Sequence, residues 1–242
     1  MIIKKTPWEK RNLGVDSSIE FYIGQNDTFE DIEVIRDHSE LYQVAHIAPG
    51  NIEALLFLQS VNFVVLEMNI QLKRSLSVIE LPRIYKRYEK VLSHRYAEKS
   101  EINQIIEIVK SRHMFRTDKI ALDPFFGEEY AGKRYALWSG DILSNGGVVV
   151  LSLYKNTPIG FEIYTEKDKK CTNFIGGVFP EFESKGLGFA PLYSELLDQQ
   201  NRGNKSVTTG VSSNNLPVLK LHEMLGYKVE SMSYVLVKHT ER

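Results

Sequence analysis

The stretch "ESKGLGFAPLYSELL", residues Glu183–Leu197, joins a glycine-rich turn to an apolar helix, after a predicted strand that ends near Pro180. Gly186 and Gly188 would let the backbone come close to a ligand, and the free N–H groups at the start of a helix attract anions. The spacing differs from the phosphate loop, which needs Lys and then Ser or Thr after its second glycine, and from the dinucleotide fingerprint, which needs a third glycine or alanine. The stretch therefore predicts either a cradle for a pyrophosphate or a helix entry whose glycines serve packing alone.

A second helix with defined ends follows in "NNLPVLKLHEMLGY", residues 214–227. Asn215 is a good N-cap, Pro217 suits the first helical turn, and Gly226 ends the helix. Its apolar face recurs at helical spacing and consists of Val218, Leu221, His222 and Leu225. The pattern turns His222 toward a sheet, where it is either a hydrogen-bonded core residue or a residue with a chemical role.

The segments around these two helices predict a mixed sheet. A strand-like segment at 91–99 is followed by an amphipathic helix at 100–115, for which Ser100 is the expected cap. Residues 146–182 have the pattern of three strands joined by short polar turns, and further strands lie on either side of the second helix. A meander followed by alternating strands and helices favours an α/β or α+β domain.

The sequence pattern divides the chain into an N-terminal α/β unit at 1–72, a connector at 73–90 and a more regular unit at 91–242. The two units share a short pattern at a constant separation of 164 residues. The matching positions are Asn51, Phe57, Asn62 and Phe63 in the first unit, and Asn215, Leu221, Gly226 and Tyr227 in the second. This pattern predicts that the N-terminal unit is a degenerate copy, in which Leu58 replaces His222.

The composition is typical of a globular protein, with 43% apolar residues, 25% charged residues and a net charge of −1. Such a charge gives no overall attraction to nucleic acid or an anionic membrane, and no apolar run approaches the roughly 18 residues of a membrane span. Cys171 is the only cysteine, so neither an internal disulfide nor a metal site is expected. The first residues lack the apolar run of a signal peptide, which predicts a cytoplasmic protein. The oligomeric state stays open, with a homodimer among the options.

The glycine-rich loop and the second helix together resemble two motifs of the GNAT superfamily of acyl-CoA N-acyltransferases, in order, spacing and type of element. "ESKGLG" is similar to the family's Arg/Gln-x-x-Gly-x-Gly/Ala loop, whose amides hold the CoA pyrophosphate, and "NLPVLKLHEMLGY" is similar to its late helix. The resemblance covers roughly residues 91–238. It implies the GNAT fold, with acetyl-CoA as acyl donor and no metal. The residues that it implies in coenzyme binding are Gly177, Val178, Phe179, Ser184, Lys185, Gly186, Leu187, Gly188, Phe189 and Asn215.

Two positions depart from the GNAT pattern. Glu183 stands where arginine or glutamine is usual, which matters little if the loop binds through backbone N–H groups. His222 occupies the position of a tyrosine that commonly donates a proton to the departing CoA thiolate. An imidazolium of pKa about 6.5 is a stronger acid than a tyrosine of pKa about 10, but only a minority is charged at pH 7. His222 is therefore predicted either as the general acid or as a neutral contact to the CoA sulfur.

Over nearly its whole length, the chain also resembles the bacterial dTDP-fucosamine acetyltransferases, which combine a GNAT-like catalytic domain with a smaller N-terminal domain. The matching segments are "TPWEKRNLGVDSSI", "LQSVNFVVLEMNI", "HMFRTDKIALDPFFGEEYAGKRYALWSGDIL" and "VESMSYVL". In that family a glutamate on the last N-terminal strand reaches the acceptor site, and its match is Glu67, an acidic group in an apolar run. The resemblance implies a nucleotide-linked amino sugar of the 4-amino-4,6-dideoxyhexose type as acceptor. Arg116 and Tyr135 are the expected substrate-binding residues. The alternative interpretations are a surface ion pair for Arg116 and a core position for Tyr135.

The expected reaction is direct attack of the acceptor amine on the thioester in a ternary complex. Glu67 would take the proton of the amine, and the backbone of residues 174–179 would polarise the thioester carbonyl. Desolvation would raise the pKa of Glu67 and make it a better base. Two alternatives stay open: a GNAT enzyme that acetylates a protein N-terminus or a small amine, and a non-catalytic CoA-binding module.

Overall fold

The computed structural model of the protein describes residues 1–111 and 114–240. The strands, in chain order, are β1 (Ile2–Lys5), β2 (Ser18–Ile23), β3 (Tyr42–Ile47), β4 (Val64–Ser75), β5 (Leu92–Tyr96), β6 (Val148–Tyr154), β7 (Thr157–Lys167), β8 (Lys170–Val178), β9 (Ser206–Ser212) and β10 (Lys228–His239). The α-helices are α1 (Glu9–Leu13), α2 (Phe29–Ile32), α3 (Ile52–Ser60), α4 (Lys99–Lys110), α5 (Gly127–Ser144), α6 (Ala190–Asn201) and α7 (Leu216–Met224). Short 3₁₀ helices lie at Glu33–Asp37, Arg83–Tyr88 and Pro180–Phe182.

The described strands form one ten-stranded sheet in the order β1-β2-β3-β10-β4-β9-β8-β7-β6-β5. Among these strands, β2–β3 and β8–β9 are the parallel pairs, and the others pair antiparallel. Helices α6 and α7 pack on one face, called here the α6 face, and α4 and α5 pack on the other, called here the α5 face. This mixed sheet with flanking helices confirms the predicted fold class.

The centre of the sheet is built from two copies of one strand–helix–strand unit, β3-α3-β4 and β9-α7-β10. Asn51 caps α3 by accepting a hydrogen bond from the Ala54 backbone N–H, and Asn215 caps α7 by accepting one from Val218. Both helices have nine residues, and both second strands have twelve. The separation of 164 residues therefore extends without a gap from the first strand of the unit to the last.

The strand registers repeat with the same separation. Tyr234 of β10 pairs with Ile47 of β3, and the residues that correspond to them, Ile70 of β4 and Val211 of β9, also pair. The remaining pairs of β3–β10 map onto pairs of β4–β9 in the same way. Each unit thus places its last strand beside the first strand of the other unit.

A local twofold axis relates the two units within the β4–β10 pair. Asn69 pairs with Ser233, its own counterpart, and the pairs on either side of this point correspond to one another. Even the bulges correspond, since Leu66 and Glu230 are the extra residues on the two strands. Because β4 crosses the predicted unit boundary at 72/73 and continues to Ser75, strands of both predicted units share one sheet. The division into units remains a sequence prediction.

The two halves differ in how far their parallel strands, β2–β3 and β8–β9, pair with each other. β2 and β3 pair along all six of their residues. β8 and β9 pair only through Lys170–Thr172 and Ser206–Thr208, although both strands continue beyond this segment. In the N-terminal half, Leu58 is buried in a core that also contains Phe21, Ile47 and Phe63. The N-terminal copy is thus closed and apolar, and the C-terminal copy has a gap in its sheet.

Two local predictions differ from the structure. Helix α4 begins at Lys99, and its N-cap is Glu98, which forms a capping box with Glu101, so Ser100 lies inside the helix and the prediction of a Ser100 cap was wrong. The helix ends at Lys110, whereas the sequence predicted it to 115, and residues 112–113 of that prediction lie outside the described part of the chain. Within the described residues, no helix combines the length and the apolar character that crossing a bilayer requires.

Arg134 of α5 provides a test of how the N-terminal segment is held. Its guanidinium donates hydrogen bonds to the carboxylate of Glu9 in α1, and both side chains are buried. Because Arg134→Ala leaves that carboxylate buried without a partner, urea unfolding is expected to show a loss of about 3–5 kcal/mol. The control is Arg11→Ala, whose partner Asp141 is exposed, with an expected loss below about 1 kcal/mol. Equal losses in the two variants would contradict the prediction.

Candidate active site

The gap between β8 and β9 opens where β8 carries a bulge. Asn173 pairs with Tyr164 of β7 and Ile175 pairs with Ile163, so Phe174 is an extra residue without a partner opposite. A bulge of this kind bends the strand and increases its twist. The edge of β8 beyond Phe174 is consequently separated from β9.

Three predicted coenzyme-binding residues lie along this separated edge. Gly177 and Val178 pair with β7 on one side, and their other side faces the gap. Phe179 follows the strand, is buried, and donates its backbone N–H to the carbonyl of Ile159. Because hydrogen-bonded and non-hydrogen-bonded pairs alternate, the bond from Phe179 directs the backbone groups of Gly177 to β7 and those of Val178 to the gap. Val178 can therefore offer backbone groups to a ligand, whereas Phe179 chiefly anchors the end of β8.

The glycine-rich loop connects the end of β8 to α6. Ser184 and Gly186 adopt left-handed backbone angles, with φ of 60° and 72°, so the chain turns sharply here. Within the described residues, the backbone N–H groups of Gly186, Leu187 and Gly188 donate to no protein carbonyl. Lys185 is exposed, while the side chains of Leu187 and Phe189 are buried in the core. The loop thus presents free N–H groups, and its apolar side chains serve packing.

His222 lies on α7, close to this loop, with only 3% of its surface exposed. Helix α7 touches the loop through Leu221, whose Cδ1 would lie 3.4 Å from a Cβ placed on Gly188. The Nδ1 atom of His222 lies 2.8 Å from the carbonyl oxygen of Val218, so Nδ1 carries the proton and donates it. Nε2 is buried and has no partner among the described residues. Because burial lowers the pKa of His222, the ring is neutral at pH 7 and Nε2 is a hydrogen-bond acceptor.

Further polar groups, absent from the predicted site residues, lie beside His222 and its neighbour Tyr227 on the α6 face. Tyr227 packs edge-on against the imidazole at 4.7 Å between ring centroids, and its buried hydroxyl has no partner within the described chain. Nearby, the side-chain amide of Asn173 donates to both Glu162 and Glu195, each at 2.8 Å. Burial raises the pKa of both carboxyl groups, and repulsion adds to this effect, from Glu195 on Glu162 and from Asp198 on Glu195. A glutamate within the apolar strand segment "GFEIY" was the available sequence signal.

Glu67 lies on the α5 face of β4, on the other side of the sheet from His222. It is 7% exposed, and its Oε2 atom has no partner among the described residues. Burial, with a contribution from the charge of Asp118, raises its pKa to about 7, against Lys119, whose charge and backbone N–H favour the carboxylate form. The structure therefore provides a buried carboxyl group that titrates near neutral pH.

A loop at 114–119 lies against Glu67 and is held in place at the end of β9. The Ser212 hydroxyl donates to the carbonyl of Thr117 at 2.8 Å, and the Asn214 side chain donates to the carbonyl of Leu66 at 3.1 Å. Asp118 accepts a 2.6 Å hydrogen bond from the hydroxyl of Tyr135. These contacts bring β4, β9 and α5 together around one carboxyl group.

The predicted substrate-binding residues occupy different positions relative to Glu67. Tyr135 is stacked on Phe115 at 3.8 Å between ring centroids, and its hydroxyl is engaged by Asp118, so it supports the wall of the site. Arg116 is exposed on the loop at 114–119. Asn215, predicted to bind the coenzyme, serves as the N-cap of α7. Their roles toward ligands remain predictions.

The chain was compared with known proteins at the level of fold. No protein-family model matches it. A GCN5-related N-acetyltransferase from Sphaerobacter thermophilus superposes with a TM-score of 0.58 at 14% identity, covering 83% of this chain and 60% of that one. A GCN5-related N-acetyltransferase from Kribbella flavida superposes with a TM-score of 0.56, also at 14% identity, covering 92% of this chain and 81% of that one. The chain has the GNAT fold.

One curated protein is similar in sequence. The GNAT-fold chain is 22% identical over 125 residues to the spore coat polysaccharide biosynthesis protein SpsD of Bacillus subtilis. The aligned part covers 51% of this chain and 43% of the relative, so the chain matches less than half of that protein's length.

The pKa of Glu67 predicts an unusual pH dependence of stability. A carboxyl group that binds its proton more tightly in the folded state destabilises the fold as the pH rises from about 4.5 to about 7. Glu67→Gln removes this penalty, so it is expected to stabilise the protein at pH 8 by up to about 3 kcal/mol, and by less than about 1 kcal/mol at pH 5. Urea unfolding at the two pH values measures both effects, with the exposed Glu223→Gln as control. The same effect at both pH values would mean that Glu67 does not titrate in this range.

Proposed function

We propose that the protein is an N-acetyltransferase that moves an acetyl group from acetyl-CoA to the amine of a nucleotide-linked amino sugar of the 4-amino-4,6-dideoxyhexose type. The observation that carries the proposal is the gap between β8 and β9, which has the glycine-rich loop at one end. Two buried polar atoms, His222 Nε2 and Glu67 Oε2, lie on the opposite faces of the sheet beside it, and neither has a partner among the residues that the structure describes. This arrangement allows a donor and an acceptor to approach one another from the two faces.

The glycine-rich loop and the edge of β8 fit a CoA molecule. The N–H groups of Gly186, Leu187 and Gly188 suit a pyrophosphate, and Lys185 can add a positive charge beside it. The backbone groups of Val178 that face the gap suit the amides of a pantetheine arm. When bound, acetyl-CoA supplies the acetyl group as a thioester.

Glu67 serves as the base in this proposal. At pH 7 a carboxyl group of pKa about 7 is about half ionised, so it can accept the proton that the acceptor amine must lose. The amine nitrogen forms the new bond to the acetyl carbon, the carbon–sulfur bond breaks, and the electron pair leaves with the sulfur. The proton of the amine goes to Oε2 of Glu67.

His222 acts as a contact for the coenzyme sulfur. A neutral imidazole whose Nδ1–H donates to Val218 has a lone pair on Nε2, which accepts a hydrogen bond from a thiol but cannot protonate a thiolate. Burial lowers the pKa of His222, and this reduces the small charged fraction that a general acid would require. Of the two roles predicted from the sequence, the neutral contact therefore has the better support.

The acceptor class has support from the name of the similar curated protein, which takes part in spore coat polysaccharide biosynthesis. Arg116 and Tyr135 belong to the acceptor side in this proposal, and the cytoplasm is the expected compartment. The alternatives are acetylation of a protein N-terminus or a small amine, and a CoA-binding module without activity. A buried carboxyl group of pKa about 7 beside the gap favours catalysis over a silent module.

Acetyl transfer can be tested with acetyl-CoA and a panel of acceptors: a thymidine-diphosphate amino sugar, the free amino sugar, a peptide and spermidine. Mass spectrometry is expected to detect acetylation of the nucleotide sugar. The value of kcat/KM should rise with pH through about 7, and Glu67→Gln should lower it by about 10²-fold and remove this rise. Transfer to the peptide or to spermidine alone would favour the first alternative, and CoA binding without any product would favour the module.

The role of His222 can be tested by two substitutions. His222→Phe removes the acceptor for the S–H of product CoA, so the product-inhibition constant of CoA is expected to rise about 3–10-fold. The thioester sulfur of acetyl-CoA has no proton to donate, so KM for acetyl-CoA and kcat should change less than about threefold. His222→Tyr introduces a hydroxyl and should recover part of the affinity. A large fall in kcat at unchanged KM for His222→Phe would instead assign the general-acid role to this residue.

A further inference from the structure

A strip of uncharged polar side chains extends from Glu67 along the α5 face of the sheet. Alternate residues of a strand point to the same face, and directly paired residues share a face. The strip, called here the polar strip, consists of Asn69 and Gln71 from β4, Thr208, Gly210 and Ser212 from β9, Ser231 and Ser233 from β10, and Thr172 from β8. Gln71, Gly210 and Ser231 are exposed, so the middle of the strip is open to solvent.

The local twofold axis provides a comparison for this surface within the same molecule. Thr208 and Gln71 correspond to Val44 and Val235 in the other half, which are buried in a core shared with α5. The same sheet positions are therefore covered and apolar in one half and uncovered and polar in the other. Solvation alone would allow charged side chains on an open strand face, yet the polar strip has none between its two ends.

The charges lie at the two ends of the polar strip. One end is Glu67, nine-tenths buried, with an Oε2 atom that has no partner among the described residues. The other end is a pocket of about 440 Å³, lined by Lys73, Lys205 and Lys228 and by one acidic residue, Glu230. Glu230 pairs with Lys73 at 2.7 Å, which leaves an excess of two positive charges in the pocket.

We propose that the polar strip and the lysine pocket form one binding site for a nucleoside diphosphate sugar, with the diphosphate in the lysine pocket and the sugar on the polar strip. The inference rests on the proposed function, since the amino group of that sugar is placed at Glu67. Lys73 lies six positions after Glu67 on β4, which corresponds to roughly 20 Å between their Cα atoms. The charged groups of Lys73 and Glu67 lie closer together than their Cα atoms when the two side chains extend toward each other. An extended sugar diphosphate can span that shorter distance.

The chemistry of each part fits this ligand. Two excess positive charges suit a diphosphate, and lysine ammonium groups bind phosphate as mobile point charges. Hydroxyl and amide side chains can donate to and accept from sugar hydroxyl groups without imposing a charge. Gly210 keeps the surface low, because a Cβ there would lie 2.8 Å from the Gln71 side chain. The site thus orders the ligand with its anionic end far from the carboxylate of Glu67.

The binding site is tested first without chemistry. Titration calorimetry with thymidine diphosphate is expected to show binding that weakens as the salt concentration rises. The double variant Lys205→Ala/Lys228→Ala should raise the Kd for thymidine diphosphate at least tenfold. Lys90→Ala, which removes an exposed lysine of the connector, should leave this Kd unchanged. Inorganic pyrophosphate should compete with thymidine diphosphate. Absence of binding, or equal affinity in the double variant, would overturn the proposal.

Kinetics separate this inference from the proposed function. For acetylation of a thymidine-diphosphate amino sugar, the double variant should raise KM for the sugar at least tenfold and leave KM for acetyl-CoA unchanged. Acetylation with an unchanged KM in the double variant would overturn the binding site and leave the acetyltransferase in place. Diphosphate binding that depends on the two lysines, without acetylation of any amine, would support the binding site and contradict the proposed acetyltransferase activity. A dimer that dissociates in the double variant would identify the surface as a contact between copies and also overturn the proposal.

Discussion

The antiparallel pairing of β4 with β10 is the interaction on which the rest of the structure depends. These two strands join the halves of the sheet, and each is flanked by the first strand of the opposite unit. The bulges at Leu66 and Glu230 sit at equivalent places, so the pairing keeps its symmetry even where it is irregular. Glu67 directly follows one of these bulges, and bulges commonly re-aim a neighbouring side chain. The acidic group of the candidate site is thus positioned by the pairing of β4 with β10.

The twofold relation also explains why only one half has a candidate active site. The N-terminal copy pairs β2 with β3 along their full length and places Leu58 in an apolar core. The C-terminal copy separates β8 from β9 and places His222 at the equivalent position, where its Nε2 atom has no partner in the described part of the chain. One framework therefore supplies both a closed half, which stabilises the sheet, and an open half, which leaves polar groups available to ligands.

Much of this arrangement could be predicted from the sequence, because it depends on local patterns. The cap at Asn215, the glycine-rich loop and the separation of 164 residues all follow from residue types and spacing. The position of each unit's last strand beside the first strand of the other unit could not be predicted, because no local pattern tells which of several similar strands lies beside β10. Tyr227 and the carboxyl pair Glu162–Glu195 were missed for the same reason, as their proximity arises only when distant strands and helices meet. The Ser100 cap failed because a neighbouring Glu98–Glu101 capping box competes for the same helix start.

The central position of β10 has a consequence for how the protein folds. This strand closes contacts with β3 and β4, which lie more than 150 residues earlier in the chain, so the sheet is dominated by long-range pairing. Chains of this kind fold slowly, because the entropy of closing large loops must be lost before the contacts form. During synthesis, β3 and β4 are made long before the strand that lies between them. Until β10 is available, the facing edges of β3 and β4 are exposed to pairing with other chains, and the nascent protein is most prone to aggregation in this interval.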